Sequence, residues 1–175
     1  MTDRRADTAP AIADLFREVM RDFASTVSLV TACDAAGNPQ GIAATTVNSL
    51  SMDPPSMLVA VNRDARAFAA LTEGAGFCVN VLGIGDAAMV ALFAGGVPQA
   101  QRFASPAWRR GPDGLPWLET SMAAVFLRTE AHLDYGTHRI LCGRISGIRA
   151  APKAGADPLV WRAGKPCRAV PIGRA

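Results

Sequence analysis

The sequence predicts a mainly β domain with helices outside, closed or nearly closed into an antiparallel barrel. Three observations carry this. Short β-branched apolar segments recur along the chain, turn signals rich in Gly, Pro, Asn and Asp separate them, and the helical patterns are few and short. No segment repeats with a period of about 20 to 50 residues, and no linker interrupts the pattern. Residues 1–175 are therefore read as one domain, with residues 1–10 expected to be flexible.

The elements follow in order. Ile12, Leu15, Phe16, Val19, Met20 and Phe23 recur at helical spacing with charged residues between them, predicting an amphipathic opening helix with Thr8 as cap and Pro10 in its first turn. Val27 to Ala32 is short and apolar. The turn chemistry of Asp34-Ala-Ala-Gly37-Asn38-Pro39 then predicts a hairpin into a second arm, Gly41 to Val47, within the stretch that Asp53-Pro54-Pro55 ends. Met57 to Asn62 reads as a buried strand, Asp64 to Thr72 as a short helix stopped by Gly74, Gly76 to Leu82 as a strand and Asp86 to Phe93 as another short helix. Gly95 to Pro116 is irregular, a long connection of the kind that forms lids or wraps a surface. Ala123 to Leu133 and Arg139 to Ile148 read as strands joined by Asp134-Tyr-Gly-Thr-His138, and Pro158 to Trp161 with Arg168 to Val170 as a final short pair.

Composition narrows the function. Half of the residues are hydrophobic and 19% are charged, a globular balance, and the longest apolar runs, such as Met57 to Val61, fall far short of a membrane span. The N-terminal stretch lacks the features of a secretory signal, so a cytoplasmic location is expected, with no membrane partner. A net charge of +3 is spread without a basic stripe, which argues against nucleic acid. Cys33, Cys78, Cys142 and Cys167 form no CxxC pair, and His132 and His138 are the only imidazoles; reduced structural thiols are expected, and no metal centre. There is no GxSxG, GxxxxGK[ST] or HExxH motif, and Gly83-Ile84-Gly85-Asp86 lacks the third glycine of a dinucleotide fingerprint.

Polar points on the expected barrel remain: the run Thr45 to Ser51, the group Asn62 to Arg66, Asn80 and His138. The stretch Gly41 to Pro55, GIAATTVNSLSMDPP, concentrates small and hydroxylated side chains, which let a ligand approach the backbone amides and donate to phosphate oxygens. On composition alone it reads first as a Thr-rich strand and loop. If these points converge, they would hold a phosphate and a polar heterocycle, with redox chemistry belonging to a cofactor.

The ordered segments FREVMRDFASTVSLVTACDAAGNPQG, GIAATTVNSLSMDPP, GFCVNVL, LFAGG followed by Phe103, GPDGLPWLE, YGTHRILCGRI and PLVWRAGKPCR together resemble the flavin reductase family of split-barrel, flavin-binding proteins, from about Leu15 to Val170. The resemblance implies a Greek-key split β-barrel and a homodimer that takes hydride from NADH or NADPH to FMN, or to FAD, and supplies reduced flavin to a partner monooxygenase. A flavin carrier or sensor without turnover, and a haem- or pyridoxamine-type member of the same architecture, are the alternative readings. By the same resemblance Ala44, Thr45, Thr46 and Val47 lie along the isoalloxazine ring. Ser49, Leu50 and Ser51 approach the ribityl chain and phosphate, Arg63 and Arg66 hold the phosphate beside Asn62, and Asn80 sits nearby. His138, matching the histidine of the family's turn, lies by the flavin and the nicotinamide as the catalytic candidate. Thr45-Thr46-Val47 replaces the family's commoner Asn-Ser-Phe, and Thr137 replaces an acid, so ring contacts here would depend on backbone amides and methyl groups.

Overall fold

The computed structural model describes residues 9–73, 76–150, 157–170 and 173. An opening helix α1 (Ala9–Asp22) leads through the two-residue β1 (Ser25–Thr26) into β2 (Ser28–Cys33), β3 (Pro39–Ala44), β4 (Val47–Met52) and β5 (Pro55–Asn62). Helix α2 (Phe68–Glu73) precedes β6 (Gly76–Val81), and α3 (Ala87–Phe93) and α4 (Gln99–Arg102) precede a small hairpin of β7 (Trp108–Arg110) and β8 (Pro116–Leu118). The long strands β9 (Ala123–Tyr135) and β10 (His138–Ala150) and the hairpin β11 (Leu159–Arg162) with β12 (Lys165–Arg168) complete the fold.

Seven strands form one antiparallel sheet in the order β3-β2-β6-β9-β10-β5-β4. Its two end strands, β3 and β4, are consecutive in the chain, separated only by Thr45 and Thr46. Two residues bridge roughly 10 Å at most, so the sheet must curl until its two edges meet. The edges come together without a shared ladder, and the barrel is split along that seam. The Thr46 carbonyl accepts the Ala60 amide at 3.1 Å, which holds the link against β5.

Period-two alternation sorts the side chains between two apolar layers. In β2, Val30 and Ala32 join Val59, Val61, Phe77, Val79, Leu127 and Leu141 in the barrel core. Leu29, on the opposite face, packs with Leu82, Val90, Phe93, Leu118 and Leu159 under α3 and β11. Both faces of β2 are covered, which is why its residues are buried on both sides rather than alternately. Cys78 is fully buried on the outer face of β6, and burial pushes its thiol up to about 12, so it stays protonated and inert.

The mainly β architecture, the turn at Asp34 and the strands β5, β6, β9 and β10 follow the sequence expectation. Asp34 accepts the Ala36 and Asn38 amides, with Asn38 the main cause that holds its carboxyl below the ordinary value, and Gly37 takes a φ of 81°. Four expectations are corrected. The arm Gly41 to Val47 is two strands broken at Thr45-Thr46. The helix expected from Asp64 begins only at Phe68, because residues 63–67 form consecutive turns. The connection Gly95 to Pro116 contains α4 and β7 and leads into β8; elements of three or four residues are too short to show a period. The last strand is Lys165–Arg168, set by a two-residue turn in which Ala163 and Gly164 have φ of 52° and 75°. Thr8 and Gly74, expected as helix boundaries, lie outside the described residues.

Helix α1 is amphipathic as expected, yet its apolar face does not rest on the barrel. Ile12, Leu15, Phe16 and Val19 are 61–66% exposed. The helix is tied down at its C-terminal end, where the Arg21 carbonyl accepts the Ala163 amide at 2.6 Å and Asp22 pairs with Arg162 at 3.1 Å. No helix among the described residues is long and apolar enough to cross a membrane.

Candidate active site at the barrel seam

A cleft of about 460 Å³ opens where β3 and β4 part. The end of β3 (Ile42 to Ala44) and the link Thr45-Thr46 form one wall. Ala60 and Asn62 at the end of β5, the turn residues Asp64 to Arg66, and His138 at the start of β10 form another. Phe93, Ala94, Gly95, Gly96 and Arg102 close the third side. The walls are mostly small residues, so backbone reaches the cavity with little side chain in the way.

His138 faces Asn62 across the β10–β5 ladder. Its Nδ1 lies 2.9 Å from the Thr137 hydroxyl, which restrains the ring at the rim of the cleft it lines. The same hairpin tip is locked to β5 by the Arg63 amide, which donates to the Thr137 carbonyl at 2.9 Å. Asp134 completes the lock: it accepts two bonds from Arg139, at 2.7 and 2.9 Å, and pairs with Arg63 at 3.1 Å. The Arg139 hydrogen bond is the main cause that holds the Asp134 carboxyl down to about 2.

A folded-state value below the unfolded one means that this clamp is fully formed above the ordinary aspartate value of about 3.9 and is lost as pH falls from there through about 2. The Asp134 carboxyl ¹³C resonance is accordingly expected to begin its titration shift only below about pH 3; a midpoint near 4 would contradict the clamp. Asp134→Asn, which removes the charge at every pH, should lower kcat/KM about two- to fivefold through His138 placement.

Arg102 is the dominant cation of the site. It is only 4% exposed, and its guanidinium donates to three carbonyls: Nε to Val97 at 2.9 Å, Nη1 to Gly41 at 3.0 Å and to Phe93 at 3.4 Å. Burial, and secondarily the charge of Arg66, lower its pKa. Among the described residues neither Arg66 nor Arg102 has a carboxylate within ion-pair distance. Two neighbouring guanidiniums in a half-enclosed cleft without a counter-ion attract an anion strongly, because the bound anion offsets both the desolvation and the mutual repulsion.

Gln99 fastens the same wall, accepting the Gly41 amide and donating to the Gly41 carbonyl, both at 3.3 Å. Gly41 has to be glycine, since a Cβ there would stand 2.8 Å from the Phe93 ring.

Of the residues expected at the site, Ala44, Thr45, Thr46, Asn62, Arg66 and His138 line the cleft. Val47 packs against the barrel core. Ser49, Leu50 and Ser51 run along the sheet-end strand β4, off the cleft wall, and the Ser51 hydroxyl is engaged with the backbone of Asp53. Arg63 serves the Asp134 clamp rather than the cavity.

Asn80 is a correction. It is fully buried beneath β8, donating to the Leu29 carbonyl at 3.0 Å and to the Thr31 hydroxyl at 3.2 Å and accepting the Leu118 amide at 2.7 Å. Its face of β6 points away from the barrel core, so it braces the hairpin and stands outside the cleft lining. Sequence reasoning missed Arg102 and the Gly95-Gly96 corner. The signal lay in LFAGG followed by Phe103, a landmark that did not show that a buried arginine stood beside it.

The fold and the cleft define an antiparallel split-barrel protein with an anion-attracting site at its seam. Residues 20–169 match the model of the flavin reductase like domain, and the chain belongs to that family. It is 36% identical over 155 residues to the FMN reductase (NADH) RutF of Methylorubrum extorquens (strain DSM 6343 / CIP 106787 / DM4), covering 89% of this chain and 75% of that protein. It is also 36% identical over 160 residues to the reductase component of the FADH(2)-dependent resorcinol hydroxylase of Rhizobium sp. (strain MTP-10005), covering 90% of this chain and 88% of the relative. The solved styrene monooxygenase flavin reductase of Pseudomonas putida S12 superposes with a TM-score of 0.79 at 26% identity, over 90% of this chain and 99% of its own.

Proposed function

We propose that this chain is an NADH-dependent flavin reductase that takes FMN, with FAD as the alternative flavin, and supplies reduced flavin to a partner monooxygenase. The observation that carries the reading is the convergence of Arg66, Arg102, Thr45, Thr46 and His138 on one cleft. The donor set fits the group: two guanidiniums for a phosphate, small side chains and backbone beside a flat ring, and an imidazole nitrogen at the rim.

A bound flavin would supply the chemistry, as acceptor of a hydride from the reduced nicotinamide. The chain's own contribution is position. Arg66 and Arg102 anchor the phosphate, the Thr45-Thr46 backbone and methyls support the ring, and the barrel behind Ala60 excludes water from one face. His138, held by the Asp134 clamp, would border the second substrate. No side chain needs to move a proton in the hydride step. Steady-state oxidation of NADH by the purified protein with FMN or FAD tests the reading. Oxidation no faster than without protein would overturn it, and comparison with NADPH assigns the nicotinamide.

The chain is further read as one domain that works as a homodimer. The exposed apolar face of α1, with Ile12, Leu15, Phe16 and Val19, supports this, because an apolar stripe of that kind on a lone chain is a surface awaiting a partner. Phe16→Asp is expected to shift sedimentation from dimer to monomer; an unchanged dimer would place the interface elsewhere. Four free cysteines and the need for a reduced nicotinamide support a cytoplasmic site of action.

A further inference from the structure

Trp108 does not line the seam cleft, yet its side chain is bonded to the buried arginine that does. It opens β7, and its indole nitrogen donates to the Arg102 carbonyl at 3.2 Å. That carbonyl needs a donor from outside its own helix. α4 ends at Arg102, and the residue four positions on, where a continuing helix would supply an amide, is Pro106, which has none. Among the described residues no other backbone amide donates to it.

The same indole touches both segments that hold the guanidinium. Its ring centre lies 4.6 Å from that of Phe103 and 5.7 Å from that of Phe93. Phe93 in turn supplies one of the three carbonyls to which Arg102 donates, and its ring lies 5.7 Å from the guanidinium carbon. Nε and Nη1 are taken up by Val97, Gly41 and Phe93, while Nη2 makes no hydrogen bond among the described residues.

The indole takes its own position from the barrel. Trp108 pairs with Leu118 across β7 and β8, the Leu118 amide donates to the buried Asn80 side chain at 2.7 Å, and the Thr31 hydroxyl donates to the Pro116 carbonyl. β8 is thereby pinned to β2 and β6. A helix of four residues is too short to hold its own end, so α4 is located by the hairpin that Trp108 begins.

We propose that Trp108 is a positioning residue for the anion anchor: through the Arg102 carbonyl and the Phe93 ring it sets where the Arg102 guanidinium stands, and thereby how tightly a phosphate-bearing flavin is held. The proposal rests on the flavin reductase reading for the identity of the ligand, but not for the coupling of Trp108 to Arg102.

FMN and riboflavin differ only by the phosphate, and their fluorescence titration against the full chain separates positioning from packing. Trp108→Phe keeps a packing ring and removes the N–H. It is expected to weaken FMN binding about two- to tenfold, the worth of one hydrogen bond, to leave riboflavin affinity unchanged, and to add no further loss of FMN affinity in the Arg102→Met background. Replacement of Trp108 by benzothienylalanine, which has the indole's shape without its N–H, keeps the test open if Trp108→Phe fails to fold. Unchanged FMN affinity, an equal loss for riboflavin, or the same loss repeated on top of Arg102→Met would each overturn the proposal.

A ligand-free measurement keeps failure of the flavin reading distinct. Hydrogen exchange of the Arg102 Nε–H, its resonance identified by absence in Arg102→Met, should quicken at least threefold in Trp108→Phe, and an unchanged rate would overturn the coupling. A wild type that binds neither flavin while this exchange still responds to Trp108→Phe would overturn the flavin reading and leave the coupling standing.

Discussion

Thr46→Trp is expected to lower flavin affinity at least thirtyfold and to reduce NADH oxidation toward the protein-free rate. Thr46 lies in the two-residue link that closes the barrel, and its side chain borders the cleft where the two sheet edges meet. An indole at this position is large enough to reach across the cleft. The wall beside it cannot yield, because the Ala60 amide is hydrogen-bonded to the Thr46 carbonyl and the core behind Ala60 is closely packed. The indole therefore occupies the space of the ligand. The barrel itself should tolerate the change, because Thr46 is exposed and its structural role is through its backbone. Fluorescence titration of FMN against the variant measures the loss, and a denaturation midpoint near that of the wild type separates it from unfolding.

The arginine pair gives the second large effect, and the two residues should behave differently. Arg66 is exposed and, among the described residues, neither hydrogen-bonds nor ion-pairs with another side chain, so Arg66→Ala is expected to cost affinity alone. A charge-assisted bond to phosphate is worth about 1.5–3 kcal/mol, or roughly ten- to a hundredfold in Kd.

Arg102→Met removes the same kind of charge but also strips the Val97, Gly41 and Phe93 carbonyls of a buried donor. About 2–4 kcal/mol of stability should go with it, and the wall around Gly41 should loosen. FMN binding by both variants should lose much of its salt dependence, since the phosphate anchor is the ionic part of the site. Equal stability losses in the two variants would contradict the division of labour.

Much of the barrel was legible because its strands obey simple rules. Asp34 and Gly37 announced a turn, Pro54-Pro55 ended a stretch, and the segments that became β5, β6, β9 and β10 were short, apolar and β-branched. The seam was not legible. Thr45 and Thr46 look like ordinary strand residues, and only the order of strands in the sheet shows that they join its two ends.

The site divides in the same way. Residues near Thr45 and His138 were recognisable because their chemistry lies in local sequence, whereas Arg102 is delivered to the cleft from a helix of four residues with no periodic signal. Asn80 misled for the converse reason: an amide in an apolar strand suggests a ligand, yet three hydrogen bonds under β8 use it for structure. Ser49 to Ser51 belonged to a run of the right composition, but the break at Thr45-Thr46 carries them along β4 and off the cleft wall.

The central claim is that hydride reaches flavin at the β3–β4 seam. Anaerobic mixing of NADH and FMN with the wild-type protein and with Thr46→Trp, followed as loss of the flavin's visible absorption band, tests it most directly. The account predicts bleaching by the wild type far above the protein-free rate and bleaching by Thr46→Trp close to it. A wild type no faster than the protein-free mixture, or a Thr46→Trp variant as fast as the wild type, would contradict it.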